Sequence, residues 1–118
     1  MRPLLFDHTA LMALFHGQPR VSRLFFWAEH EAVTVLLPAA AMGAANSWLK
    51  ATDDAWMALL LTPNVEPLDL SPSGALAAAR RGSDLAVGHT SVEAAATGGT
   101  IVTSIPEVYD RDLRIAAF

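Results

Sequence analysis

Residues 3–9 read Pro3-Leu4-Leu5-Phe6-Asp7-His8-Thr9, a short apolar run that ends on a carboxylate. Apolar runs of this length, bounded by polar residues, are typical of strands that are buried on both faces of a parallel sheet covered by helices. Open α/β sheets bind ligands beyond the carboxyl ends of their strands, so Asp7 is expected at such an edge. The alternative is that Asp7 or Thr9 caps the following helix, and residue type by itself leaves both roles open.

Composition narrows the class of protein. The chain has 118 residues, which predicts a single domain over residues 1–118 with one core. Hydrophobic residues make up 53% and charged residues 17%, which excludes a disordered chain and favours an apolar surface that meets a partner. The absence of cysteine excludes disulfides and thiolate sites and suits the cytoplasm. The longest other apolar run, residues 33–42, is too short to span a membrane.

The net charge of the chain neither indicates nor excludes nucleic-acid binding. The formal net charge is −4, and basic residues are dispersed apart from Arg80-Arg81 and the spaced pair Arg20 and Arg23. A dedicated nucleic-acid binder usually carries a basic patch. Acidic residues clustered in a metal site would nevertheless offset a local patch of basic residues in the net charge.

Strand-like and helix-like patterns alternate along the chain. Further strands are predicted at residues 32–37, 65–70, 100–104 and 113–118, with the 65–70 strand at a sheet edge because Pro67 interrupts it. Thr52 and Ser71 are expected to cap helices, and Ser83 is expected to cap the long helix that runs to about Thr97. The order βαα, βαα, βαα, βα, β predicts a three-layer α/β/α sandwich with a mostly parallel central sheet.

Three blocks of sequence in this order resemble the PIN domain, in particular the small VapC-type proteins of toxin–antitoxin pairs. They are LLFDHTAL at residues 4–11, SDLAVGHTSVEAAATGG at residues 83–99 and TIVTSIPEVY at residues 100–109. The resemblance covers nearly the whole chain. It implies a PIN-like fold and a metal-dependent endoribonuclease site of clustered carboxylates, because Mg²⁺ and Mn²⁺ prefer hard oxygen ligands.

The acidic positions of that family are only half filled here. The resemblance places its first acid on Asp7 and its third on Asp84, which are therefore the candidate catalytic residues. Its second acid falls on Ala44 and its fourth on Ile105. Two negative charges are lost, and a branched apolar side chain stands where a hydrated ion would sit.

Nearby polar residues are candidate substitutes for the missing acids. Asn46 follows Ala44 closely, and Glu107 and Asp110 follow Ile105. The resulting candidate metal ligands are Asp7, Asp84 and Glu107, which would hold Mg²⁺ or Mn²⁺ weakly, because Mg²⁺ often uses only one or two protein carboxylates.

Two functions follow from the resemblance. The favoured one is a degenerate PIN-like domain with weak or lost nuclease activity that binds RNA or a protein as a regulatory module. The alternative is a Mg²⁺- or Mn²⁺-dependent endoribonuclease toxin of a VapC-type pair. Either protein is expected to form a homodimer and to have an antitoxin-like partner. His89 is expected to be a buried histidine rather than a base, and Trp27, Trp48 and Trp56 to be core or interface residues.

Overall fold

The computed structural model describes all 118 residues and contains five strands and six helices. Five of the six helices begin at a side chain that accepts a hydrogen bond from the first turn. In chain order they are β1 (Leu4–Phe6), α1 (His8–Phe15), α2 (Pro19–His30), β2 (Val35–Pro38), α3 (Ala39–Leu49), α4 (Asp53–Leu60), β3 (Val65–Leu68), α5 (Pro72–Arg81), α6 (Leu85–Thr97), β4 (Thr100–Thr103), a 3-10 turn (Pro106–Val108) and β5 (Arg114–Ala117). None of the helices is long and apolar enough to cross a membrane.

The strands form one sheet in the order β3-β2-β1-β4-β5, and every neighbouring pair is parallel. Strand β1 is central, because Leu5 is in register with Leu36 of β2 and with Ile101 of β4. From β1 the chain adds β2 and β3 on one side of the sheet, and then β4 and β5 on the other side. The order therefore reverses between β1 and β4, and Asp7 directly follows β1 at this reversal.

Successive residues of β1 serve two different cores, as the alternation of a strand requires. Phe6 lies in the larger core, where helices α1 to α4 contribute most of the buried side chains. Leu5 lies in the smaller core on the other face, together with Val87 of α6 and Tyr109. The predicted α/β/α arrangement is thus confirmed, with a sheet that is wholly rather than mostly parallel.

Helix caps agree with the sequence prediction at two of three positions. Thr52 accepts a hydrogen bond from the Ala55 amide, and Ser71 caps the helix that begins at Pro72. The prediction that Ser83 caps α6 is wrong. Asp84 is the N-cap, and its Oδ1 accepts from the Val87 amide at 2.8 Å. A carboxylate at this position also interacts favourably with the positive end of the helix, which a serine hydroxyl does less well.

Helices α5 and α6 cross at a glycine. A Cβ atom at Gly88 would overlap the Ala78 carbonyl, so no larger residue fits without moving α5. The interior glycine of α3 is different. A Cβ at Gly43 would meet nothing within 4 Å, so close packing does not require this glycine.

We predict that Gly88→Ala lowers the free energy of unfolding by about 2 kcal/mol or more, because the new methyl group forces the two backbones apart. Gly43→Ala is the matched control. It should raise the free energy of unfolding by roughly 0.5 to 1 kcal/mol, because alanine favours a helix more than glycine does. Urea denaturation of both variants measures the difference, and equal stability of the two variants would contradict the predicted crossing.

Candidate functional site

Asp7 caps α1 and is completely enclosed, with 0% of its surface exposed. Its Oδ1 accepts hydrogen bonds from the Ala10 amide at 2.9 Å and from the Thr9 hydroxyl at 2.6 Å. The capping role that the sequence left open is therefore present in the structure. Asp7 also lies at the carboxyl end of the central strand. Both roles that the sequence allowed, the helix cap and the acid at a sheet edge, therefore describe its position.

A chain of hydroxyl groups links Asp7 to the end of β4. The Thr9 oxygen accepts from the Ser104 amide at 2.9 Å and lies 3.4 Å from the Thr103 hydroxyl oxygen. The Thr103 oxygen in turn accepts from the Ile105 amide at 3.0 Å. Thr103 therefore reaches Asp7 through Thr9. These bonds hold the loop after β4 against the start of α1.

Tyr109 completes the surroundings of Asp7. Its hydroxyl donates to Asp7 Oδ2 at 2.8 Å, and its ring belongs to the smaller core. Burial raises the pKa of Tyr109 above its ordinary value of 10.0, and the Asp7 carboxylate raises it further. Asp84 adds a smaller contribution in the same direction, while a hydrogen bond with Thr90 opposes the shift. Tyr109 thus stays a neutral hydrogen-bond donor.

Sequence reasoning missed the role of Tyr109. The available signal was that Tyr109 is the only tyrosine of the chain and stands in the block TIVTSIPEVY, just after the Ile105 position. Nothing in the local pattern connects it with Asp7, because the two residues are 102 positions apart.

Asp84 has the opposite environment. It is exposed and lines a surface groove of about 530 Å³. The groove lies between the starts of α1 and α6 and one face of α3. The α3 face consists of small residues followed by an aromatic one, at helical spacing: Ala40, Gly43, Ala44, Ser47 and Trp48. His8, Leu85 and Ala86 complete the lining. Of the two candidate catalytic acids, only Asp84 lines this groove.

Ala44 lies in this groove, on the α3 wall of the cavity that Asp84 also lines. This is where the resemblance placed the second acid of the family. Asn46, the suggested substitute, does not replace it. Its Oδ1 accepts from the Ala51 amide at 2.8 Å and from Trp56 Nε1 at 2.9 Å, so this amide holds the end of α3 against α4.

The two acids that follow Ile105 lie on the surface. Glu107 is exposed on the 3-10 turn. Asp110 is 3.5 Å from Arg81, which also contacts Asp112 at 3.2 Å. Asp110 therefore already has a cationic partner. Arg81 joins the end of α5 to the segment before β5.

The donor set does not fit a divalent cation. The carboxylate of Asp7 accepts three hydrogen bonds and has no accessible surface, while one oxygen of Asp84 accepts from the backbone. No group of three or more histidine and carboxylate side chains converges anywhere in the fold. A Mg²⁺ ion demands near-octahedral oxygen coordination, which these side chains do not supply as they stand.

His89 is buried between α6 and the start of α3. Its Nδ1 accepts from the Ala40 amide at 3.3 Å, and its Nε2 lies 3.7 Å from a carboxylate oxygen of Glu93. Burial lowers the pKa of His89 from 6.5, and the nearby Glu93 carboxylate and Asp69 backbone partly oppose this shift. The expectation of a buried histidine with a hydrogen-bonded ring nitrogen agrees with this geometry.

We predict that stability falls as the pH drops through His89 titration. Above pH 6.5 the imidazole is neutral in both folded and unfolded chains, so its contribution is complete. Below pH 6.5 the unfolded chain takes up a proton that the folded chain resists, so the free energy of unfolding decreases, by at most about 1.4 kcal/mol per pH unit. Thermal unfolding between pH 5 and 8 measures this slope in the wild type and in two variants. We expect His89→Gln to lose the slope and the control variant His16→Gln, at an exposed histidine, to keep it. A slope that survives in His89→Gln and disappears in the control would contradict the prediction.

Comparison with known proteins supports the fold. No protein-family model matches the chain, and no curated protein sequence matches it. Among solved structures, the chain is similar to a crystal structure of VapBC2 from Rickettsia felis bound to a DNA fragment from their promoter. The identity is 12% over 98% of each chain, with a TM-score of 0.65. At this identity the likeness concerns the fold, and the chain has a PIN-like, VapC-like α/β fold.

Proposed function

We propose that this protein is a degenerate PIN-like domain, spanning residues 1–118, with weak or lost nuclease activity. It acts in the cytoplasm as a regulatory module that binds RNA or a protein. The observation that carries this proposal is the composition of the groove at Asp84. Its α3 wall presents Ala44 and other small side chains, so the groove lacks the second carboxylate that a hydrated cation would need.

A Mg²⁺- or Mn²⁺-dependent endoribonuclease is the second candidate. It is favoured by the fact that Asp7 and Asp84 both act electrostatically on Tyr109, so the two carboxylates belong to one region of the fold. Bound metal would supply charge neutralisation at a phosphodiester and a positioned water. Exposed Glu107 would have to join these two acids as a ligand.

We predict that the purified protein does not cleave a mixed RNA substrate in Mg²⁺ or Mn²⁺ above a protein-free blank, and that calorimetry detects no Mn²⁺ binding below about 1 mM. The reason is that a single accessible carboxylate leaves most of the ion's charge uncompensated. Metal-dependent cleavage that Asp84→Asn abolishes, with the melting temperature unchanged, would establish the endoribonuclease instead.

A restored site provides the control for that experiment. Ala44→Glu combined with Ile105→Asp returns both acids to the positions implied by the resemblance. This double variant should bind Mn²⁺ at least about tenfold more tightly than the wild type, because it adds two hard oxygen ligands at the positions that the resemblance implies. Ala44→Gln with Ile105→Asn is the matched neutral variant and should behave like the wild type.

A second groove supports a protein partner. It has a volume of about 290 Å³ and lies between α1, α2 and α4. Seven of its eight lining residues are hydrophobic, and one of them, Phe26, is 66% exposed. An apolar groove between helices suits the apolar face of an amphipathic helix. We therefore propose an antitoxin-like partner that inserts such a helix here, as the similarity to a VapBC2 structure also suggests.

The proposed oligomer is a homodimer. Two large apolar side chains outside the second groove, Trp48 at 78% exposure and Leu85, line the groove at Asp84 together. A contiguous apolar patch of this kind suits contact with a second copy of the chain. Light scattering of the purified protein measures the oligomeric state directly.

If the gene beside this one encodes a small antitoxin-like protein, we predict that Phe26→Lys abolishes its copurification, because a charged side chain would have to be desolvated in an apolar groove. Leu76→Lys is the matched control, because Leu76 is equally exposed but lies on α5, outside the groove. The control variant should retain the complex. Retention by both variants, or loss by both, would contradict this groove as the docking site.

A further inference from the structure

Asp7 carries a charge in a place where an unpaired charge is costly. Its side chain is completely buried, and no lysine, arginine or histidine forms an ion pair with it. A carboxylate removed from water stays ionised only when hydrogen-bond donors or a cation stabilise its charge. Three donors meet Asp7, and together with the start of α1 they compensate its charge.

These donors differ in origin. The Thr9 hydroxyl and the Ala10 amide are neighbours in sequence, and both serve Oδ1. Oδ2 receives a hydrogen bond only from Tyr109, which comes from the far end of the chain. A cation bound to Asp7 would use the oxygen that local capping leaves free. The Tyr109 hydroxyl occupies this position.

Tyr109 is itself firmly placed. Its ring is buried in the smaller core, and its amide donates to the Pro106 carbonyl at 3.2 Å, which closes the 3-10 turn. The preceding loop is fixed to the same region, because the Ser104 amide donates to Thr9. The loop after β4 therefore contacts Asp7 at two points, directly through Tyr109 and indirectly through Thr9.

We propose that Tyr109 is the positioning residue that takes the place of a divalent cation at Asp7, so that the buried carboxylate is satisfied by protein hydrogen-bond donors alone. This inference rests on the degenerate site of the proposed function and deepens it. Asp7 is then a structural carboxylate, which explains how its position is kept while Ala44 and Ile105 stand where the resemblance places acids. The single tyrosine of the chain makes the proposal directly measurable.

The first test is NMR of protein labelled with ¹³C at tyrosine Cζ, which yields one resonance. In the wild type the hydroxyl proton should exchange slowly with water, and Asp7→Asn should shift the Cζ resonance and speed this exchange. Asp84→Asn is the matched control and should leave both nearly unchanged, because Asp84 does not contact the hydroxyl. A Cζ resonance that Asp7→Asn does not shift would overturn the proposal.

The second test separates Tyr109 from a cation. Neither EDTA nor 10 mM Mg²⁺ should change the Cζ resonance or the melting temperature of the wild type. Tyr109→Phe should lower the melting temperature by on the order of 5 °C, with a smaller loss in an Asp7→Asn background, because the two residues act as a pair. A Mg²⁺-dependent Cζ shift in the wild type would show that an ion reaches Asp7, and would overturn the proposal.

The two proposals can fail separately. RNA cleavage that depends on Asp84 while the Cζ resonance remains insensitive to Mg²⁺ would refute the proposed function and leave the role of Tyr109 standing. If Asp7→Asn does not fold, the hydroxyl exchange and the Mg²⁺ response of the wild type still decide the role of Tyr109.

Discussion

The burial of the Asp7 carboxylate is the constraint on which this region of the structure depends. An ionised group without access to water must find donors for both of its oxygens. Here the start of α1 serves one oxygen and Tyr109 serves the other. The requirement therefore couples the central strand, the first helix and the loop after β4, which come from opposite ends of the chain. Any change in one of these elements acts on the other two.

The same constraint separates the two acids that the resemblance places in one site. Asp7 is enclosed by its donors, whereas Asp84 is exposed in a groove. Both are N-caps, so both have a structural use that does not require a metal. A carboxylate at a helix start is favourable in itself. The presence of these two acids thus has an explanation in stability.

A fold of this kind is a scaffold, and its function depends on the residues at its edges. The reversal of strand order beside β1 still produces the crevice where α/β sheets bind ligands. In this protein the crevice is filled on one side by Tyr109 and open on the other as a groove lined by small residues. The apolar groove between α1, α2 and α4 is a separate surface on the larger-core side. The molecule therefore presents two different surfaces, of which the one between the helices is almost wholly apolar.

Local chemistry in the sequence determined the element order, the buried parallel strands, the edge position of the Pro67 strand and the caps at Thr52 and Ser71, because these depend on residues within a few positions of one another. It also placed Asp7 at the carboxyl edge of the central strand. Tertiary structure alone decided that Asp84 rather than Ser83 caps α6. It also decided that Trp56 Nε1 donates a hydrogen bond to Asn46 Oδ1 and that the Tyr109 hydroxyl donates one to Asp7. The Asp84 cap is a local bond, but Ser83 and Asp84 both suit an N-cap, so local chemistry did not choose between them. The Asn46 bond depends on how α3 and α4 pack. The Tyr109 contact depends on how strands β1 and β4 align and on where the 3-10 turn places a side chain, and no periodicity in the chain encodes a contact between residues 102 positions apart.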